Sequence, residues 1–303
     1  MAPRALCKHF DTKRFFPCRC AQISRFFRPS HPPNPAPPRP EIAMKKILLA
    51  AVLTLIVSGS ARAQYILTGT NYSQNFNSLG NGLPTGWTTR VLVASNSLGN
   101  ELTFSNTNAA SGNTWGDGTG AFKNFASATG LTSTATTAQQ TNSTDRALGI
   151  RPTASFGDTN TNYTAFVLQL NNTTGFENFT LNMDAMMLSV QGRTNVWSLD
   201  YGIGASPTSF TTLTNWTTPD AWGTTSLSIS SASLAGITNQ SENVWIRFSI
   251  LSPSTGSGSR DSVAIDNFSL AYTEVIPEPS TYALLALSGL GFAAHVMRRR
   301  LRG

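Results

Sequence analysis

Carboxylates are the acid–base groups that the long middle of this chain offers: between Gln64 and Ile276 there are 12 Asp and Glu but no histidine and no cysteine. That composition excludes Ser-His-Asp and Cys-His nucleophilic catalysis in this stretch, and zinc sites built on imidazole or thiolate. A glycosidase-type pair needs two carboxyls roughly 5–10 Å apart, one with a raised pKa. No spacing marks out such a pair, so the acids read first as a solvated surface, and we expect no catalytic residue and no obligatory cofactor. A structural calcium site is the sharper use of the same groups, because loop carboxylates and carbonyls are hard oxygen ligands. The candidate ligands are Asp117, in Trp115-Gly116-Asp117-Gly118-Thr119-Gly120, together with Asp145, Asp261 and Asp266. No EF-hand or repeat-type calcium motif accompanies them, and hydrogen bonding by the same aspartates is the plainer alternative.

Binding chemistry has a second set of candidates. All 6 tryptophans fall in this stretch, and an exposed indole can stack on the apolar C–H face of a sugar ring. Trp216 and Trp222 lie in the loop-like segment from Asn215 to Gly223 and are the expected carbohydrate platform. Trp197 and Trp245 sit in strand patterns and are expected in the core, although Trp245 alternates against its apolar neighbours and points to the other face.

These groups must be positioned by strands. Trp197, Leu199 and Tyr201 alternate with polar residues, as do Phe166, Leu168 and Leu170, Phe179, Leu181 and Met183, and Val244, Ile246, Phe248 and Ile250. Period-two alternation of this kind is the mark of half-buried strands. Gly, Asn, Ser, Thr and Pro clusters such as Gly202–Pro207 and Ser252–Ser259 separate them. Met186-Met187-Leu188 breaks the alternation and predicts a bulge. With no amphipathic helix between the strands, the expected fold is all-β: an antiparallel β-sandwich or jelly roll over 64–273. About 210 residues are enough to bury a sizeable core without disulfides.

Three short motifs in this region carry a resemblance. Phe76-Asn77-Ser78-Leu79 with Leu83-Pro84-Thr85-Gly86-Trp87, then Asp145-Arg146-Ala147-Leu148-Gly149, then Val263-Ala264-Ile265-Asp266-Asn267-Phe268-Ser269-Leu270 occur in that order. Together they resemble secreted bacterial jelly-roll modules. No catalytic residue travels with those motifs. Their physical roles read as structural: Pro84-Thr85-Gly86 is a turn delivering Trp87 to a strand, and Asp266 should face away from Ile265 toward a neighbouring loop.

The two ends of the chain concern export. Met44-Lys45-Lys46, an apolar run from Ile47 to Val57 and Ser60-Ala61-Arg62-Ala63 before Gln64 form a signal-peptide pattern over 44–63, with cleavage expected between Ala63 and Gln64. Residues 1–43 precede it, hold all 3 cysteines, and are explained most simply as a misplaced start. At the other end, over 274–303, Pro277-Glu278-Pro279 is followed by an apolar stretch from Tyr282 to Met297 and then Arg298-Arg299-Arg300. The arginines act as a membrane stop, since they resist crossing a bilayer. The apolar run of 16 residues is shorter than the roughly 20 that a spanning helix needs. In its order of parts this tail resembles the PEP-CTERM sorting signal of Gram-negative bacteria. The resemblance implies a C-terminal hydrophobic helix held transiently at the inner membrane, recognition at Pro277, Glu278 and Pro279, cutting by an exosortase-like enzyme, and release to the cell surface or extracellular matrix.

Charge divides along the same boundaries. The full chain is +7, yet Gln64–Ile276 holds 7 basic and 12 acidic residues, a net −5. Nucleic acid is therefore not an expected partner, because phosphate neutralisation needs clustered positive charge. The expected partners are the Sec translocon, the processing enzyme and extracellular polysaccharide. Two functions remain in view: a non-catalytic envelope or matrix protein, and a glycan-active enzyme with an unmarked carboxylate pair. A facing pair in a tryptophan-lined groove would favour the second.

Overall fold

The computed structural model describes residues 64–105, 107, 113–158, 162–276 and 279–301, all within the compact unit Ser60–Gly303. The expected upstream extension 1–43, the expected signal peptide over 44–63 with its cleavage residue Ala63, and Pro277 and Glu278 of the tail lie outside the described residues.

Fourteen strands form: β1 (Asn71–Gln74), β2 (Trp87–Val93), β3 (Asn100–Leu102), β4 (Ala121–Ala126), β5 (Arg146–Arg151), β6 (Tyr163–Leu170), β7 (Phe176–Ser189), β8 (Arg193–Thr194), β9 (Val196–Ile203), β10 (Thr211–Thr217), β11 (Gly223–Ile229), β12 (Val244–Ile250), β13 (Thr255–Gly256) and β14 (Ser262–Glu274). Among the described residues two α-helices accompany them, α1 (Thr137–Asn142) between β4 and β5 and α2 (Pro279–Arg300) after β14. One six-stranded sheet runs β11-β7-β14-β5-β4, with β1 also paired to β14. The other runs β10-β9-β12-β6-β2-β3, and β13 with β8 makes a small ribbon. Every pairing between these strands is antiparallel. The fold is the antiparallel β-sandwich that the alternation predicts.

The alternating apolar sets are the two inner faces. Phe166, Leu168, Leu170, Phe179, Leu181, Met183, Trp197, Leu199, Val244, Ile246, Phe248 and Ile250 are buried in one cluster. Trp197 is stacked on both Phe166 and Phe248, at 5.8 and 5.0 Å between ring centroids. The outer faces carry two smaller clusters. One gathers Trp115, Phe125, Met186, Leu188 and Ala264 on the β7–β14–β5–β4 side, and the other Val93, Leu98, Val167 and Trp245 on the opposite sheet. Where β14 passes from Ser262 to Val263, its partners on β7 jump from Ser189 to Met187. Leu188 is the extra residue of a bulge, at the interruption the sequence shows.

Although last in the sandwich, β14 is central. It pairs with β7 along its length, with β5 over Val263–Ile265, and with β1 over Phe268–Ala271. After it, α2 carries Arg298, Arg299 and Arg300 in its last turn, where positive charge complements the helix dipole. Among the described residues no helix is long and apolar enough to cross a membrane. The 22-residue helix has the length, but Ser288, Gly289, Gly291 and His295 dilute its apolar run.

Candidate functional site

The three motifs meet in one joint. A turn closed by Trp87 N–H donating to the Pro84 carbonyl (3.0 Å) brings Trp87 into β2. Gly86 has φ +85°, and a Cβ there would sit 2.9 Å from the Tyr65 Cβ and 3.1 Å from the Gln169 carbonyl oxygen, so the turn needs glycine. Trp87 is buried, edge-on to Phe76 at 5.0 Å and to Phe268 at 5.1 Å, and its indole N–H donates to the Tyr72 hydroxyl at 2.7 Å. The backbone N–H of Arg146 donates to Asn77 Oδ1 at 2.7 Å. The Arg146 guanidinium is buried against the Asn124 side chain (2.8 Å) and the Gln140 carbonyl (2.9 Å), and burial pulls its pKa down to about 10 despite the Asp145 charge. Trp87, Asn77 and Arg146 thus each end in packing or a satisfied hydrogen bond.

The tryptophan platform is not where the sequence places it. Trp216 is 5% exposed. The segment Thr211–Thr217 is a strand, so Trp216 points inward opposite Trp197, near Phe248 at 6.2 Å. Trp222 is half-buried, with its ring 5.6 Å from that of Trp115 and its indole N–H buried without a partner. Trp245 does face the outer side of its sheet, yet it is buried there: Arg90 lies 5.1 Å over its ring, and its N–H donates to the Gly204 carbonyl at 2.8 Å. None of the six indoles lies open to solvent.

The proposed calcium ligands are not brought together either. Asp117 pairs with Lys123 and accepts from Thr119 N at 3.1 Å. Burial raises its pKa, but these bonds outweigh it and the carboxyl sits below its usual range. Asp261 accepts from Gln191 N at 2.7 Å, and burial pushes its pKa up. Asp145 uses its backbone carbonyl to hold Ser127 N (3.0 Å). Among the described residues no group of three or more His, Cys, Asp and Glu could hold a metal.

Asp266 is a special case. It faces away from Ile265, and across the strand pair it stands opposite Asp184 on β7. Burial pushes its pKa up to about 7; the Asn267 backbone N–H, donating at 2.7 Å, opposes this, while Asp145 and Asp184 add to it. Two carboxyls with unlike environments are the raw material of acid–base work on glycosides. The geometry does not complete it: Asp266 is 0% exposed and its Oδ2 has no partner. An acid sealed from solvent cannot reach a glycosidic oxygen.

Register-dependent features escaped the sequence. Arg247 and Asp200 form a buried bidentate pair at 2.6 and 3.1 Å on the outer face of the second sheet. Arg247 also stacks on Phe210 at 3.4 Å and donates to the Ala94 and Ser97 carbonyls at 2.8 and 2.7 Å, clamping the loop after β2. On the first sheet, Ser226 Oγ donates to Asp184 at 2.7 Å and Asn267 Nδ2 to its other oxygen at 3.0 Å. Ser228 bonds Asn182 at 2.6 Å, and Ser269 bonds Asn71 at 3.0 Å. These residues span β11, β7, β14 and β1 and leave an open face of hydroxyls and amides, with one carboxylate and no aromatic ring. A cleft of about 300 Å³ lined by Ser73, Gln74, Asn75, Asn267, Phe268 and Ser269 continues that face.

Comparison with known proteins adds the following. No curated protein sequence matches the chain. The xylan-binding domain CBM22-2 of Xyn10C from Paenibacillus barcinonensis is 13% identical over 67% of this chain and 99% of its own, with a TM-score of 0.34. The K1 cleaved adhesin domain of Lys-gingipain from Porphyromonas gingivalis W83 is 15% identical over 67% and 98%, with a TM-score of 0.36. Xylanase10C from Cellvibrio japonicus, solved with xylopentaose, is 9% identical over 41% of this chain, which spans only 22% of the xylanase, with a TM-score of 0.28. Such scores are too low for function to follow from them, and the fold assignment rests on the strand pairing. The model of the PEP-CTERM protein-sorting motif matches residues 275–301. Behind its β-sandwich, therefore, the chain ends in a PEP-CTERM sorting motif.

Proposed function

We propose that this chain is an exported, non-catalytic envelope or matrix protein, cut from its tail by an exosortase-like enzyme and retained on extracellular polysaccharide. The observation that carries the reading is the sorting motif over residues 275–301, which begins directly after β14 ends at Glu274. Export through the Sec translocon is the role of residues 44–63 in this reading. The inner membrane holds the chain only until the cut near Pro277-Glu278-Pro279. The non-catalytic part is supported by the lack of His and Cys across Gln64–Ile276 and by the burial of Asp266 beside Asp184. With no indole open to solvent, polysaccharide falls to the polar face of Asn71, Asn182, Ser226, Ser228, Asn267 and Ser269, whose side chains both donate and accept as sugar hydroxyls do, with the Asp184 carboxylate accepting only.

Intact mass and cell fractionation of the native protein test the sorting. A chain from Gln64 to the region of Pro277–Pro279, recovered from matrix or medium, is the expected product. A chain that keeps Arg298–Arg300 in the inner membrane would refute processing. For the binding face, Asn182→Ala with Ser269→Ala should lower retention on the cell's own polysaccharide about tenfold, and unchanged retention rejects that face.

A further inference from the structure

We infer that β11 is a docking edge for a second copy of this chain, so that two sandwiches join β11 to β11 into one continuous sheet. Natural sheets protect their edges with charges, prolines, bulges or very short strands. The other terminal strands here follow that rule. β10 has a register shift between Thr212 and Thr214, β3 spans three residues and includes Glu101, β4 carries Lys123, and β1 is four residues long. β11 has none of these devices. Its seven residues, Gly-Thr-Thr-Ser-Leu-Ser-Ile, include no charge and no proline, and it pairs with β7 in unbroken register from Gly223 to Ile229. Among the described residues no strand covers its other side. Thr224, Thr225, Ser226 and Ser228 are exposed there.

The occupant follows from the pattern of the strand itself. A two-fold axis through Ser226, perpendicular to the sheet, would pair Thr225 with Leu227 and Thr224 with Ser228, so β11 meets its own copy with inward residues facing inward ones and outward facing outward. Side-chain direction is preserved across such an antiparallel pair. The half-buried Leu227 gains cover, while Ser226 and Ser228 keep their bonds to Asp184 and Asn182. The domain carries a net −5, yet this edge is neutral, so copies that repel elsewhere can approach here. A single edge-to-edge ladder buries little surface and makes a weak dimer, which suits a protein concentrated at a surface. The inference does not depend on the polysaccharide reading.

Sedimentation velocity of the full chain in mild detergent tests it, for the wild type and for Thr225→Lys. The wild type should pass from one to two chain masses between about 5 and about 500 µM, and the lysine, which the register sets opposite the apolar Leu227 and diagonal to its own copy, should weaken association at least about tenfold. Two cysteine variants read the register. Ser226→Cys lies on the axis and should give an interchain disulfide above the wild-type background, since directly opposed residues fall within disulfide reach, whereas Asn182→Cys, one strand inward, should not. A single chain mass throughout, association unchanged by Thr225→Lys, or equal cross-linking by both cysteine variants would each overturn the inference.

Discussion

Asp266 shows what one residue's setting does to its chemistry. Buried opposite Asp184, it keeps its proton up to about pH 7 in the folded chain, whereas an unfolded aspartate loses it near pH 4. The folded state therefore binds the extra proton between those values. Its contribution is fully present below the unfolded pKa and is lost as pH rises through the folded one. From pH 5 to pH 8 that loss is roughly 2–3 kcal/mol for this group alone. Asp266→Asn should flatten the pH dependence of the urea midpoint over that range, and an unchanged slope would show that Asp266 ionises normally. The sequence shows Asp266 facing away from Ile265, because alternation fixes the side of a strand. It could not show Asp184 opposite, because cross-strand neighbours depend on register. The Arg247–Asp200 pair was hidden for the same reason.

At the scale of elements, the strands with strict apolar alternation were legible: β6, β9 and β12 sit where Phe166, Trp197 and Val244 lead them. β10 was not. Thr211-Thr212-Leu213-Thr214-Asn215-Trp216-Thr217 is polar because it is a sheet edge, and polarity without period reads as loop, although threonine is a good strand former. That single misreading moved Trp216 from the core to the surface. The turn before β2 was legible, since Pro84-Thr85-Gly86 has turn chemistry in its own residues. Gly86→Ala should destabilise the sandwich by more than about 2 kcal/mol, combining an unfavourable positive φ with contact against Tyr65 and Gln169. Thr85→Ala, in the same turn, should change stability by less than about 0.5 kcal/mol. Chemical denaturation of the two variants side by side checks the pair, and equal effects would remove the turn from the account.

For the whole molecule, the C-terminal sorting motif was the most legible feature, because charge and apolar runs act without tertiary context. What they imply for folding comes from topology. The strand that β1, β5 and β7 all need is, among the described residues, the last in sequence order. A chain ending at Asp261 should stay open to protease, while one ending at Ile276 should resist it; resistance of the shorter chain would mean that the first sheet assembles without β14. Contacts between β1 and β14 close a loop of nearly two hundred residues, and pairings of such separation form late. In the proposed export, the position of β14 would work as a clock: the polypeptide would stay pliable enough to thread a narrow channel until this strand is through, and the sheet would lock only on the far side.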